Sequence, residues 1–126
     1  MADTKKILIV DDGEIIWRVI QNIADRYGVD STVVSNGKDA ETLIQSEEQF
    51  DAVFLDLLIP FKSGWDIIKS IKENLHRNGT PIVVLTGAPI NLEEKRKLGE
   101  QVTAVIDKGT FNLELFEQLF EDLLRK

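Results

Sequence analysis

The amino-acid sequence predicts an α/β fold of the doubly wound type, a (βα)5 five-stranded parallel sheet with helices on both faces. Five short runs rich in Val and Ile recur along the chain, and most are continuous rather than alternating. Continuous runs are typical of parallel strands that are covered on both faces. The stretches between the runs are long enough for helices and carry apolar residues at helical spacing. Because crossovers between parallel strands are right-handed, this β-α order places helices on both sides of one open sheet.

The predicted strands are the apolar runs themselves. In chain order they are Ile7–Val10, Thr32–Val34, Ala52–Leu55, Ile82–Leu85 and Thr103–Ile106. The first predicted helix has one apolar stripe, made of Ile16, Val19, Ile20, Ile23 and Tyr27. Gly28 follows it, where helices favour glycine just beyond their end. Four more predicted helices are Gly37–Ser46, Ser63–His76, Pro89–Leu98 and Asn112–Arg125.

Length and composition restrict the classes of function. The chain has 126 residues, so we expect one domain over residues 1–126 with no output domain. It has no cysteine, which excludes thiol nucleophiles and cysteine metal sites. A net charge of −7 opposes nucleic-acid binding. The apolar run near the N-terminus ends after four residues, too short for a signal or a membrane helix, so we expect a soluble, cytoplasmic protein.

Polar residues follow four of the predicted strands. Asp11 and Asp12 follow the first strand, Asp56 ends the third, Thr86 follows the fourth and Lys108 follows the fifth. In open parallel sheets, ligands bind outside the carboxyl ends of the strands. Each of these residues alone has an ordinary structural explanation, such as a helix cap or a turn. Their occurrence together at one edge of the sheet is far more specific and predicts a functional site.

The residue types at this edge indicate phosphoryl chemistry. Asp56 lies within an apolar stretch, where an unpaired carboxylate is costly to bury. Three clustered carboxylates repel one another unless a cation is present, and hard oxygen ligands favour Mg²⁺. Lys108 would add a positive charge and Thr86 a hydroxyl donor to a transferring phosphoryl group. Aspartate is an established nucleophile for such groups, and Asp56 is the natural choice.

From about Lys5 to Arg125 the sequence resembles the receiver domain of bacterial two-component response regulators, and in particular the stand-alone chemotaxis type. The matching residues are Asp11, Asp12, Asp56, Pro60, Gly64, Thr86 and Lys108. Asp12, Asp56, Thr86 and Lys108 follow one another at intervals of 44, 30 and 22 residues, which resemble those of the family. The resemblance implies a flavodoxin-like sheet with strand order 2-1-3-4-5.

The resemblance also implies a function. Asp56 would accept a phosphoryl group from a histidine kinase or histidine phosphotransfer protein, Lys108 would contact the phosphoryl oxygens and Thr86 would close over them. Mg²⁺ would be held by Asp11, Asp12, Asp56 and the Leu58 backbone carbonyl. The protein would be a switch rather than a turnover enzyme, a monomer or weak dimer that binds a downstream protein target when phosphorylated.

Four positions depart from the family's pattern. Val105 stands where the family usually has an aromatic residue that turns inward, so we expect backbone shifts or other side chains to transmit the signal. Gly109 replaces a proline that usually follows a cis peptide bond, so we expect a trans bond and a rearranged loop. Leu58 and Ala88 occupy the positions that tune phosphoryl lifetime, and neither can orient water, so we expect slow self-dephosphorylation.

Two other functions remain open. Val105 and Gly109 favour a phosphorylation-independent adaptor that binds a partner constitutively, whereas the intact acidic and basic residues oppose it. A phosphohydrolase is disfavoured, because it would need a second aspartate where Leu58 stands.

Two surfaces are candidate interfaces. Ile15 and Trp17 lie on the first predicted helix, near the acidic residues. In the receiver domains that this sequence resembles, the corresponding surface docks a helix of a kinase or a phosphotransfer protein. Leu115 widens the apolar face of the last helix, which is either core or a dimer interface.

Overall fold

One parallel sheet organises the molecule. The computed structural model describes residues 4–59, 63–74, 79–87 and 89–124. The strands are β1 (Lys6–Val10), β2 (Asp30–Val34), β3 (Ala52–Asp56), β4 (Ile82–Thr86) and β5 (Ala104–Asp107). They pair in the order β2-β1-β3-β4-β5, and every pairing is parallel. The predicted fold class and strand order are therefore confirmed.

Burial along the strands follows from this order. The three central strands β1, β3 and β4 are buried along almost their whole length, whereas the edge strands β2 and β5 are partly exposed. This explains why the central strands have continuous apolar runs in the sequence, since both of their faces are covered by helices.

Helices cover both faces of the sheet. They are α1 (Glu14–Arg26), α2 (Gly37–Ile44), α3 (Gly64–Asn74), α4 (Leu92–Gln101) and α5 (Leu113–Leu124). The buried residues of α1 and α5 form one core cluster with side chains such as Ile9 and Phe54. Those of α2, α3 and α4 form the second cluster with Leu8 and Leu55 on the opposite face. Alternate residues of each strand therefore belong to different cores, as the pleat of a strand requires.

Helix α4 differs most from its predicted position. It begins at Leu92 and ends at Gln101, whereas the sequence predicted a start at Pro89 and an end at Leu98. The start is set by a capping box. The Asn91 side chain accepts a hydrogen bond from the Glu94 N–H at 2.8 Å, and the Glu94 carboxylate accepts one from the Asn91 N–H at 3.2 Å. These two reciprocal bonds satisfy amides that a helix leaves unpaired at its start.

The other described boundaries agree with the prediction or differ from it by one or two residues. Helix α2 ends at Ile44 instead of Ser46, and β2 begins at Asp30 instead of Thr32. Helix α1 ends before Gly28, as predicted, and the φ of 69° at this glycine is a conformation that side chains with a Cβ rarely adopt. Tyr27, predicted on the buried stripe, is 41% exposed because its hydroxyl donates a hydrogen bond to Glu121 at the surface.

The described helices are all short. None of them, within the ranges given above, is long and apolar enough to cross a lipid bilayer.

Candidate functional site

The buried polar side chains all lie at one edge of the sheet. Among the described residues, the polar or charged side chains classed as buried are those of Asp11, Asp56 and Thr86, which are 2%, 5% and 3% exposed. Asp11 directly follows β1, Asp56 ends β3 and Thr86 ends β4. The parallel order of the strands therefore brings together the residues that the sequence predicted at this edge. We refer to Asp11, Asp12 and Asp56 as the acid pocket.

Lys108 joins two members of the acid pocket. Its Nζ lies 2.9 Å from Asp11 Oδ2 and 3.1 Å from Asp56 Oδ2, and its side chain is 20% exposed. Burial lowers the pKa of Lys108, but the contacts with the two carboxylates outweigh burial and raise the pKa above its ordinary value of 10.5. The ammonium therefore stays charged and compensates part of the negative charge of the pocket.

Asp56 is held at both carboxylate oxygens. Oδ1 accepts a hydrogen bond from the Leu58 N–H at 3.0 Å, and Oδ2 accepts one from Lys108 at 3.1 Å. Burial raises the pKa of Asp56 above its ordinary value of 3.8, and the Leu58 amide and Lys108 oppose this shift without cancelling it. A carboxylate with a raised pKa is a more basic oxygen nucleophile, and its two hydrogen bonds fix its orientation.

The two carboxylate oxygens of Asp11 have different surroundings. Its Oδ1 accepts a hydrogen bond from the Gly13 N–H at 2.7 Å. Its Oδ2 is buried and accepts no aligned hydrogen bond among the described residues, although the Lys108 ammonium is within ion-pair distance. A buried carboxylate oxygen that lacks such a bond is costly unless a cation completes its surroundings.

The acid pocket fits a divalent cation. One carboxylate oxygen from each of Asp11, Asp12 and Asp56 can be chosen so that all lie within 4.8 Å of one another. Oxygens on opposite sides of an octahedral Mg²⁺ are about 4.2 Å apart, twice the Mg–O distance. The three oxygens therefore lie close enough together to share one such ion. Asp12 is exposed, which leaves the pocket open to solvent and to a ligand of the cation.

Thr86 lies beside the lysine. Gly87, the next residue, points towards the Lys108 side chain, since a Cβ at Gly87 would lie 3.8 Å from Lys108 Cδ. A cavity of about 380 Å³ adjoins Thr86, and Val105 and Ile90 form part of its wall. Val105 is only partly buried, so the position where an aromatic residue was expected borders open space.

The loop after β5 has the trans peptide bond that the sequence predicted. The peptide bond between Lys108 and Gly109 is trans, and residues Lys108–Thr110 form a short 3-10 turn. Asp107 caps this turn with its side chain, which accepts a hydrogen bond from the Gly109 N–H at 2.7 Å. Sequence reasoning missed this cap, although an aspartate two residues before a glycine is a common turn signal.

Sequence reasoning also missed a close contact next to Asp56. The Gly64 N–H donates a hydrogen bond to the Leu57 carbonyl at 3.0 Å, and a Cβ at Gly64 would lie 2.6 Å from Leu57 Cα. Glycine is required here because α3 begins directly against the end of β3. Two other positions singled out in the sequence, Pro60 and Ala88, lie outside the described residues.

Two exposed apolar side chains lie close in sequence to residues of the acid pocket. Ile15 is 80% exposed near the start of α1, and Leu58 is 64% exposed in the loop after β3. Trp17 packs partly against the core, and the Arg18 guanidinium lies 5.2 Å from the centre of its ring. Of the two residues predicted as a docking patch, Ile15 is therefore the accessible one. On α5, Leu115 is 70% exposed and does not belong to the core.

The chain is similar to known signalling proteins over almost its whole length. Residues 7–121 match the family model of the response regulator receiver domain. The transcriptional regulatory protein PcoR of Escherichia coli is 33% identical over 93 residues, which are 74% of this chain and 39% of PcoR. The chain thus spans only part of PcoR, and other curated relatives are matched over still smaller shares of their length.

Solved receiver domains have the same fold. A CheY-like response regulator receiver domain protein from Methanospirillum hungatei is 25% identical, with a TM-score of 0.79 over 96% of this chain and 94% of that one. The receiver domain of the sensor histidine kinase PA1611 from Pseudomonas aeruginosa, solved with magnesium coordinated in its active-site cleft, is 19% identical. Its TM-score is 0.80 over 98% of this chain and 100% of that one. Together with the family match, these findings show that the chain belongs to the response regulator receiver domains of two-component systems.

Proposed function

We propose that this receiver domain is a phosphorylation switch in which Asp56 is the phosphoacceptor. One observation carries the proposal, which is the buried Asp56 carboxylate held between the Leu58 amide and the Lys108 ammonium beside a second buried carboxylate. A purely structural ion pair would not need three carboxylates within 4.8 Å of one another. Clustering of this kind costs free energy, and it is explained if the pocket binds a cation and a phosphoryl group.

The proposed reaction is a direct transfer. An oxygen of the Asp56 carboxylate attacks the phosphorus of a phosphohistidine, a P–O bond forms and the P–N bond breaks. The electron pair of the broken bond stays on the imidazole nitrogen of the donor, which takes up a proton from solvent. The product is an acyl phosphate on Asp56, and no oxidant or further reactant is needed.

Lys108 and Thr86 would stabilise the transferring group. In the structure the Lys108 ammonium lies 3.1 Å from Oδ2 of the Asp56 carboxylate. It is therefore already close to the group that would accept the phosphoryl group, whichever of the two carboxylate oxygens reacts. A cation so close to the reacting centre offsets the negative charge that develops there. The Thr86 hydroxyl, at the end of the adjacent strand, would donate a hydrogen bond to a phosphoryl oxygen.

The acid pocket would hold Mg²⁺ through Asp11, Asp12 and Asp56, with the Leu58 backbone carbonyl as a fourth ligand. The buried Asp11 Oδ2, which lacks an aligned hydrogen bond among the described residues, supports this assignment. Bound there, the ion would reduce the repulsion between the carboxylates and the incoming phosphoryl oxygens.

The partners follow from this chemistry. The phosphodonor would be a histidine kinase or a histidine phosphotransfer protein in the cytoplasm, docking on the exposed Ile15 beside the pocket. The output would be binding of a downstream protein when Asp56 is phosphorylated, with the domain itself acting as a switch rather than a turnover enzyme. We expect a monomer or a weak dimer, with the exposed Leu115 of α5 as the dimer contact.

A second function is favoured by one observation. Val105 borders a cavity of about 380 Å³ beside Thr86, and a valine side chain is too short to fill it. If no side chain couples Thr86 to the surface of β5, the domain would bind its partner constitutively, as an adaptor that keeps the receiver fold.

Acid-quenched intact mass spectrometry separates the two functions. The native protein is incubated with MgCl₂ and acetyl phosphate, next to Asp56→Asn and to Asp25→Asn, a matched control at an exposed position on α1. A phosphoryl adduct on the native and Asp25→Asn proteins, absent in Asp56→Asn and in the presence of EDTA, is expected. A folded native protein that binds Mg²⁺ but forms no adduct would contradict the switch and favour the adaptor.

A further inference from the structure

A glycine directly follows Lys108 in the turn after β5. Strand β5 ends at Asp107, and the next three residues form the 3-10 turn Lys108–Thr110. Lys108 is the first residue of this turn and Gly109 the second. Glycine has no Cβ and gives the backbone more conformations than any other residue. A flexible residue therefore directly follows the lysine that must point into the acid pocket.

One side chain restrains this turn. The Asp107 carboxylate accepts a hydrogen bond from the Gly109 N–H at 2.7 Å, with backbone φ and ψ of −83° and 120° that are typical of a capping residue. The same carboxylate oxygen would lie 3.1 Å from a Cβ at Gly109, so it packs tightly on the glycine backbone. The hydrogen bond spans Lys108 and fixes the peptide units on both sides of it.

We propose that Asp107 is a positioning residue for Lys108, because its cap directs the ammonium into the acid pocket. The ammonium must be placed within about an ångström, since it contacts Asp11 Oδ2 at 2.9 Å and Asp56 Oδ2 at 3.1 Å. A lysine side chain loses rotamer entropy when it is fixed, and a freely moving backbone would add to that loss. A fixed turn removes the backbone part.

Asp107 acts through the backbone rather than through its charge. Within the described residues, the ion pairs of Lys108 are those with Asp11 and Asp56, and Asp107 is exposed. A neutral asparagine, whose side-chain oxygen can accept the same hydrogen bond, should therefore replace Asp107. Alanine cannot accept it and should release the turn.

The first measurement does not depend on phosphorylation. Trace acetylation of the full chain with a limiting amount of acetic anhydride, followed by peptide mass spectrometry, gives the labelling rate of Lys108 relative to the exposed Lys69. We expect Asp107→Ala to raise this ratio at least threefold and Asp107→Asn to keep the native ratio. Asp107→Val, which also lacks an acceptor and suits the end of a strand, serves if Asp107→Ala does not fold. An unchanged ratio in the variant without an acceptor, or an equal rise in Asp107→Asn, would overturn the proposal.

The second measurement rests on the proposed function. Asp107→Ala should slow phosphorylation by acetyl phosphate at saturating Mg²⁺ about threefold or more, and Asp107→Asn should restore the native rate. In a Lys108→Ala background the same change should have no effect, because no ammonium remains to be positioned. An equal loss in both backgrounds would show a merely structural role and overturn the proposal. If the native protein is not phosphorylated at all, the proposed function fails, while the labelling ratio still decides the role of Asp107.

Discussion

Replacement of Gly64 by alanine should destabilise the protein and disturb the phosphoacceptor site. A Cβ at this position would lie 2.6 Å from Leu57 Cα, 2.9 Å from its Cδ2 and 3.0 Å from its carbonyl oxygen. Ordinary contacts of a Cβ are 3.4–4 Å. The closest atom is therefore about 0.8 Å too near, and as a backbone atom of a buried residue it cannot rotate away.

The loss of folding stability caused by Gly64→Ala can be estimated. Overpacking a buried position typically costs about 1–3 kcal/mol, and a backbone clash places Gly64→Ala at the upper end. At the start of a helix, alanine recovers less than the roughly 1 kcal/mol that it gains over glycine in a helix interior. The expected loss is about 2 kcal/mol, which corresponds to a melting temperature lower by about 8 °C for a chain of this size.

The chain offers a matched control. Gly99 lies within α4 and is exposed, and a Cβ there would have no neighbour within 4 Å in the described part of the chain. Gly99→Ala should therefore raise the free energy of unfolding by about 0.5–1 kcal/mol through helix propensity alone. Urea unfolding monitored by circular dichroism measures both variants, and an unchanged slope validates the comparison.

The result also bears on the site, because Leu57 is next to the phosphoacceptor. If Gly64→Ala pushes the Leu57 backbone away, the Leu58 amide and Asp56 must shift, and phosphorylation by acetyl phosphate should slow as stability falls. The argument from close packing would be refuted if Gly64→Ala were as stable as the native protein while Gly99→Ala was stabilised as expected.

Three further predictions concern the pocket and its rim. Leu58→Asn should shorten the lifetime of the phosphorylated state at least about fivefold, because an amide can orient water where leucine cannot; this gain is still below the roughly 100-fold gain of a full general base. Loss of the radiolabel from the phosphoprotein measures the lifetime, with Leu92→Asn at an exposed position of α4 as the control. An equally fast native protein would contradict slow self-dephosphorylation. Ile15→Gln should slow transfer from a phosphohistidine domain about fivefold, equivalent to about 1 kcal/mol of docking energy. The variant should still react with acetyl phosphate at the native rate. Leu113→Gln on α5 is the control, and equal slowing with both donors would argue against docking. In the folded, metal-free protein the pKa of Asp56 lies above its ordinary value of 3.8, so between these two pKa values the native state binds more protons than the unfolded state. The contribution of this carboxyl group to stability therefore falls as the pH rises through its folded pKa. Asp56→Asn should raise the thermal midpoint at pH 7 more than at pH 4, and the reverse order would contradict a raised pKa.

The sequence predicted the fold because its signals were local. Continuous apolar runs identified the central strands β1 and β3, since strands covered on both faces have no polar alternation. The predicted start of α4 was wrong by three residues because it was placed at Pro89 and the Asn91 and Glu94 pair was not considered. That capping box is visible in the sequence, but only the structure shows which of two competing start signals forms hydrogen bonds.

The sequence predicted which polar residues meet at this edge of the sheet, but not the contacts between them. The order of the strands brings Asp11, Asp56 and Lys108 together, and the polar residues at the strand ends sufficed to find them. Lys108 contacts both carboxylates, and Asp11 Oδ2 has no aligned hydrogen bond to any of the described residues. Both facts depend on side-chain directions that sequence spacing does not determine. The role of Gly64 also required coordinates, because its neighbour Leu57 comes from the end of another element.

The central claim is that Asp56 itself carries the phosphoryl group, and mapping the modified residue tests this most directly. Borohydride reduces an acyl phosphate on aspartate to homoserine, which tandem mass spectrometry of the proteolysed chain can locate. After incubation with Mg²⁺ and acetyl phosphate, we expect homoserine at position 56 and unmodified aspartate at positions 11 and 12. Homoserine at either of those two positions, or at none in a folded protein with bound Mg²⁺, would contradict it.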